Sequence, residues 1–386
     1  MGITASIIPR DINSQGQVNY RKLSLLTSVL TNTLRFMRQA RIRGEGKCYY
    51  HCISRVVDRQ FILGETEKEH FVALMRKLEA FHGMRVVTYC VMSNHFHLLV
   101  EEPDRESVQD LDADTTLKRI SYLYSSHAVR SVREELERAR ATRSEAWEAE
   151  ILNCYRSRMG DLAAFMKDLK QRFSQWYNRN NGRRGTLWED RYKSVLVEGD
   201  AKALMTMAAY IDLNPLRAGM VDRVEDYRWS GYASAVGGNS WARRGLGRIL
   251  LTSDQISGND FEKKWSETSK LYRLVLYSEG EVQELPEEES PGNRKRGFTA
   301  EEVEREAKRG GQLPIGKALR CRVRYLTDGA VLGSENFVNQ VFERNRSQFG
   351  KRRQSGARAM READWGGLCV LRDLRGDLRG DVLSGP

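Results

Sequence analysis

"MRVVTYCVMSNHFHLLVEE", residues 84–102, decides how the first half of this chain is read. Two apolar runs, 84–92 and 95–102, are parted only by Ser93 and Asn94, a connection short enough for an antiparallel hairpin. Side chains alternate between the faces of a strand. His95 and His97 therefore project to one side of the second run, while Phe96, Leu98 and Val100 point to the other. Two imidazoles address one region on one face. Taken alone, a structural role and a ligand role for such a pair are about equally open.

Working outward, "CYYHCISR" (48–55) reads as a strand and "TEKEHFVALMRKLEAF" (66–81) as an amphipathic helix, with Phe71, Leu74, Leu78 and Phe81 at helical spacing. Past the hairpin, "MGDLAAFMKDLKQRFSQWYNRNNGRRG" (159–185) predicts a long helix closed by Asn-Asn-Gly, and "TLWEDRYKSVLVEG" (186–199) alternates like a strand. Asp200 is placed to cap a last helix, "AKALMTMAAYIDLN", stopped by Pro215. The order βαββαβ followed by a helix predicts an α+β domain of the ferredoxin-like, split βαβ kind: an antiparallel four-stranded sheet with helices on one face.

The remaining stretches divide by composition. Residues 1–46 read as an N-terminal extension and 47–236 as the main domain, with a charged helical insertion at 104–157. Residues 237–297 lose periodicity and end in the linker-like "QELPEEESPGNRKRG" (283–297). Residues 298–360 predict a small all-α helix-turn-helix region, with Ser334 as N-cap and Phe337, Val338, Val341, Phe342 and Phe349 along one side. Residues 361–386 form a tail.

The 386 residues carry 63 Lys and Arg against 52 Asp and Glu, a net charge of +11, which favours a polyanionic partner such as nucleic acid. Six cysteines are scattered without a C-x-x-C pair, and no secretory cleavage site or membrane-spanning run is evident. Disulfide scaffold, zinc finger and membrane protein are thereby disfavoured, and a reducing cytoplasm is the expected setting.

A catalytic metal at His95 and His97 needs a third ligand. Tyr210 and Asn214, four apart in the last helix, share a face and suggest that the amide oxygen of Asn214 and the hydroxyl of Tyr210 meet at one metal-bound phosphate. A phenol is a weak nucleophile, so it calls for a polarised phosphorus. Attack would give a covalent phosphotyrosine that conserves the phosphodiester energy, which suits strand transfer. Tyr177 is the runner-up nucleophile. His51, alone on the first strand, reads as a hydrogen-bonded core residue. Arg183, Arg184, Arg191 and Lys193 flank Trp188 and Tyr192 in a basic-aromatic mixture suited to a single strand, and Arg344, Arg346, Lys351, Arg352 and Arg353 form a basic set suited to duplex DNA.

"NHFHLLVE", "RRGTLWEDRYKSVLVE" and "AAYIDLNPLRAGMV" followed by "DYRWSGY" resemble, in that order, the single-tyrosine HUH transposases, especially the REP-associated tyrosine transposases. The resemblance covers about residues 37–236. It implies Mg²⁺ or Mn²⁺ at His95 and His97, a 5′-phosphotyrosine on Tyr210 with a free 3′-OH left on the DNA, and single-stranded or hairpin DNA as the partner. It implies Asn214 as third ligand only through its place four residues after the tyrosine. Members of this family commonly work as homodimers. A non-catalytic nucleic-acid binder on a ferredoxin-like sheet is the alternative from a different class.

Overall fold

The computed structural model describes residues 41–250, 261–277, 319, 323–349, 353–361 and 363–371. The chain divides into two units, Met1–Arg41 and Ile42–Pro386, and every element below belongs to the second. The residues of the expected extension before 41, the linker at 283–297, and Lys351 and Arg352 lie outside the described residues.

Strand β1 (Cys48–Arg55) is followed by helix α1 (Glu65–His82) and the hairpin of β2 (Arg85–Val91) and β3 (His95–Glu102). The turn is tight: the Met92 amide donates to the carbonyl of His95 at 2.8 Å. Helices α2 (Ala113–Leu123), α3 (Ser126–Ala141) and α4 (Glu145–Arg156) occupy the charged insertion. They bury a cluster of their own, with Leu117, Ile120, Leu136 and Ile151 packed near Phe81 of α1. Helix α5 (Leu162–Asn180), β4 (Lys193–Val197) and α6 (Ala201–Asp212) follow. The Asp200 carboxylate caps α6, accepting from the amides of Lys202 and Ala203.

The strand alternation sorts two cores. Tyr50, Cys52, Tyr89, Phe96, Leu98 and Val100 face α1 and α5. Tyr49, Val87, Cys90, Leu99 and Val195 face α6 and the helices that follow it: α7 (Gly231–Val236), α8 (Ser240–Gly247) and α9 (Phe261–Tyr277). Helices therefore cover both faces of the sheet, where the sequence pattern predicts one. The reason is the length of apolar helix in 201–247 and 261–277, part of which reads as irregular from sequence. At Gly245 an added Cβ would lie 2.4 Å from the carbonyl oxygen of Val86, so α8 rests directly on the β2 backbone.

The outer edge of β2 is closed by the chain around Trp229. The Val91 amide donates to the Trp229 carbonyl at 3.0 Å, the Tyr227 hydroxyl donates to the Val91 carbonyl at 2.7 Å, and Ser230 bridges Cys90. "DYRWSGY" thus covers a sheet edge that would otherwise expose unpaired amides.

In place of the four strands expected, the sheet has seven among the described residues, in the order β2-β3-β1-β4-β5-β7-β6. The pairs among β1 to β4 are antiparallel. Beyond β4 run β5 (Val331–Gly333), parallel to it, then β7 (Cys369–Val370) and β6 (Arg358–Ala359). The described part of 298–360 is accordingly not all-α. Its turn "DGAVLG" supplies β5, because the free edge of β4 offers amide donors: those of Leu196 and Glu198 reach the carbonyls of Ala330 and Leu332 at 3.0 and 2.9 Å. Helix α10 (Glu335–Arg344), capped by Ser334, buries Val338, Val341 and Phe342 against the same core as α5.

Candidate active site

β3 presents His97 and Leu99 to the α6 side of the sheet. β1 lies beside it in the register Ile53↔His97 and His51↔Leu99, which sets His51 diagonal to His97 on the same face. The small residues Ala203, Ala208 and Ala209 let α6 approach the sheet closely, and Tyr210 descends from it onto the histidines. The Tyr210 ring centroid is 6.2 Å from that of His97 and 6.1 Å from that of His51, edge-on to both. His95 and His97 stand 5.0 Å apart, centroid to centroid. His95, at the strand end, is half-buried, whereas His97 and Tyr210 are only 4% and 2% exposed.

The hydrogen bonds fix which nitrogen of each ring carries the proton. The Leu326 carbonyl can only accept, so His51 donates to it from Nδ1–H at 2.7 Å. Burial holds the His51 pKa down to about 4, so the ring is neutral and its Nε2 carries a lone pair. That lone pair accepts from Nδ1–H of His97 at 2.9 Å. The two rings stack with centroids 5.1 Å apart. Burial, followed by the neighbouring His95 and His51, pushes the His97 pKa well below its ordinary value. In the neutral His97 ring the lone pair therefore lies on Nε2.

His95 is oriented in a similar way. Its Nδ1–H donates to Asn94 Oδ1 at 2.6 Å, while Asn94 Nδ2 donates to the Arg59 carbonyl at 3.0 Å. In both histidines a protein acceptor takes the Nδ1 proton, an arrangement typical of imidazoles that present Nε2 to a metal. The donor set fits a divalent ion held by two imidazoles, with oxygen donors completing its shell. Among the described residues no group of three or more His, Cys, Asp or Glu side chains is set to hold a metal, and His51 spends both ring nitrogens on protein partners.

Asn214 opens the helical turn Asn214–Arg217 directly after α6. Its amide nitrogen donates to the carbonyls of Tyr210 and Ile211 at 3.2 and 3.1 Å, which leaves Oδ1 as the atom it can offer a ligand. No hydrogen bond joins it to His95 or His97 among the described residues. Arg217, absent from the sequence reading, lies over the Tyr210 ring. Two residues from the tyrosine, the buried Asp212 carboxyl accepts from Thr88 Oγ1 at 2.9 Å, the Tyr272 hydroxyl at 2.5 Å and the Tyr232 amide at 3.2 Å, and burial raises its pKa to about 7.

The other candidates are dispersed. Tyr177 lies in α5 with the opposite core, beside Phe173, away from the histidine face. Trp188 is buried against Phe96 and Phe173. Arg184 and Arg191 are exposed, Arg183 donates to the Thr186 carbonyl at 2.8 Å, and Lys193 pairs with Asp328 at 2.9 Å. Arg344 pairs with Glu45 at 3.1 Å. Arg346 and Arg353 are turned inward: both lie over Phe342, and Arg353 also covers Phe349 and donates to the carbonyls of Ser355 and Gly356. Their packing is that of structural clamps.

Sequence reasoning reads His51 as a hydrogen-bonded core residue and gives no site role to Asn94 or Arg217. Each has a signal. His51 sits on the strand that hydrogen-bonds the histidine strand, Asn94 directly precedes His95, and Arg217 stands seven residues, about two helical turns, after Tyr210.

Among the described residues no helix is long and apolar enough to cross a membrane. No curated protein matches the chain. A solved structure described as a REP-associated tyrosine transposase bound to a REP hairpin aligns over 58% of this chain and 96% of its own, with 14% identity and a TM-score of 0.34. The family model for IS200-like transposases matches residues 45–152, the stretch that carries His51, Asn94, His95 and His97 and ends before Tyr210. Over these residues the chain is similar to the IS200-like transposases.

Proposed function

We propose that this protein is a transposase-type endonuclease and strand transferase acting on single-stranded DNA, with Tyr210 as nucleophile, His95 and His97 as metal ligands and hairpin DNA as the substrate class. The observation that carries the reading is the approach of Tyr210 to within 6.2 Å of His97 across one sheet face. The basic chain and the family match at 45–152 support a DNA substrate.

His95 and His97 offer Nε2, and Asn214 offers its amide oxygen, to Mg²⁺ or Mn²⁺. When bound, such an ion draws charge from a non-bridging phosphate oxygen and makes phosphorus a better electrophile. Tyr210 Oη attacks phosphorus in line. The new O–P bond forms as the bond from phosphorus to the 3′ oxygen breaks, and the phenolic proton passes, through solvent, to the departing 3′ oxygen, which leaves as a hydroxyl. The product is a 5′-phosphotyrosine, and attack by a second 3′ hydroxyl reverses the step and joins strands. Arg217 holds the tyrosine ring from behind. Arg184 and Arg191, both exposed, are the cations of the basic stretch most open to the DNA backbone. The β2-β3-β1-β4 order of antiparallel strands supports a split βαβ core for the domain. Assembly as a homodimer belongs to the same proposal.

The test is a denaturing gel with a pool of hairpin oligonucleotides whose single-stranded feet are randomised, labelled at either end, in Mg²⁺ or Mn²⁺. A protein-linked label from the 3′-labelled pool alone is the expected result, and Tyr210→Phe abolishes it. An adduct from the 5′-labelled pool alone, or none with either metal, overturns the reading.

A further inference from the structure

In the sequence His51 reads as a core histidine, yet its environment is not that of a packing residue. It is wholly buried, it uses both ring nitrogens, and one of its partners is His97. The three groups form a directed line. The Leu326 carbonyl accepts from His51 Nδ1–H at 2.7 Å, and His51 Nε2 accepts from His97 Nδ1–H at 2.9 Å. A carbonyl has no proton to give, so the line has one direction. It ends on His97 Nε2 as a lone pair.

We propose that His51 is a positioning residue for His97: it transmits the direction of the Leu326 carbonyl and so fixes the tautomer and ring plane in which His97 offers Nε2 to the metal. The inference rests on the reading of His95 and His97 as metal ligands. Without His51, the Nδ1 proton of His97 loses its acceptor in a buried site, and the ring is at liberty to place its proton on Nε2, where no metal can bind. Outer partners of this kind commonly change metal affinity by about 10 to 100-fold. His95 does not need His51, because Asn94 performs the same task for it.

The line also assigns a task to the far end of the chain. Leu326 lies 275 residues from His51. The helical turn Tyr325–Asp328 leads into β5, which is held to β4 by the sheet. The region of the expected DNA module therefore contributes the fixed carbonyl from which His97 takes its orientation.

The test uses the full-length protein with ¹⁵N-labelled histidine. In the metal-free wild type, imidazole ¹H–¹⁵N correlation spectra are expected to show His97 protonated on Nδ1. His51→Leu is expected to move that proton to Nε2 or to a mixture. His51→Gln, which retains a donor and an acceptor in one planar group, is expected to keep it on Nδ1. In calorimetric titration with Mn²⁺ alone, His51→Leu should weaken binding about 10 to 100-fold, with His51→Gln within about threefold of wild type. A wild-type His97 protonated on Nε2 overturns the proposal whether or not any variant folds, and so does a folded His51→Leu that binds Mn²⁺ as wild type does. A wild type that binds no Mn²⁺ removes the metal reading instead, and the metal-free tautomer still decides the role of His51.

Discussion

The guanidinium of Arg217 lies over the ring of Tyr210, its central carbon 4.2 Å from the ring centroid. It is held there by its own donors: one terminal nitrogen reaches the Tyr210 carbonyl at 3.0 Å and the other the Leu319 carbonyl at 2.6 Å. A cation on the face of a phenol both restricts the ring and favours the charge that develops as the hydroxyl becomes a nucleophile.

Arg217→Ala is therefore expected to slow single-turnover cleavage by about 10²-fold, the order typical of losing one aligned electrostatic contact. Arg217→Lys retains the charge without the planar fork, so its rate should fall between those of wild type and Arg217→Ala. Rapid-quench measurement on a hairpin substrate checks the order, and DNA affinity should change far less than rate.

Asp212 gives a pH signature of stability. Its folded pKa, near 7, is above the ordinary carboxylate value of 3.8, so the folded protein retains a proton that the unfolded chain has already lost. The stability this confers is complete below about pH 4 and is lost as pH rises toward 7, with a span on the order of 4 kcal/mol. Asp212→Asn lacks that titration. The difference in unfolding free energy between wild type and variant, followed by urea denaturation from pH 4 to 8, should shift in the variant's favour across this window and stay flat above it.

The basic residues should differ in their effect on DNA binding. Arg184 and Arg191 are exposed, whereas Lys193 is already paired with Asp328. Replacing either arginine with Ala should lower the slope of log K against log salt by about 0.7 for single-stranded DNA, and Lys193→Ala should lower it less. Fluorescence anisotropy over a salt series measures both.

Deleting residues 319–386 removes β5, the partner of β4 on the side away from β1. The Leu196 and Glu198 amides lose the carbonyls of Ala330 and Leu332, and an apolar strand edge opens to solvent. The truncated chain is expected to be poorly soluble or to melt well below full length, as thermal unfolding of the soluble fraction would report. A stable truncated chain that still nicks hairpins would mean that neither the sheet nor the site depends on the C-terminal strands.

The legible parts of the fold are those whose burial is periodic. Phe71, Leu74 and Leu78 mark α1, and the alternation of His95 to Val100 marks β3, because each element buries one face over several turns or pleats. Strands of two or three residues, such as Val331–Gly333 and Cys369–Val370, are too short to show alternation and exist because an edge is there to receive them. In the candidate site, the spacing within one element brings His95, His97, Tyr210 and Asn214 to notice. His51 and Arg217 act through partners on other elements, Leu326 and Leu319 among them, and no local period encodes a contact between distant segments.

The distance in sequence between His51 and Leu326 sets an order of assembly. A hydrogen bond that spans 275 residues cannot close until the later partner has left the ribosome, and contacts of such separation are among the slowest to form. β1 and the histidine hairpin leave the ribosome long before the turn that orients them. A nascent or prematurely terminated chain thus carries the histidines and the tyrosine without the carbonyls that hold His51 and Arg217 in place. Synthesis of the segment that carries Leu319 and Leu326 becomes the step that sets these contacts, so on the proposed function competence to cut DNA would follow the appearance of that segment.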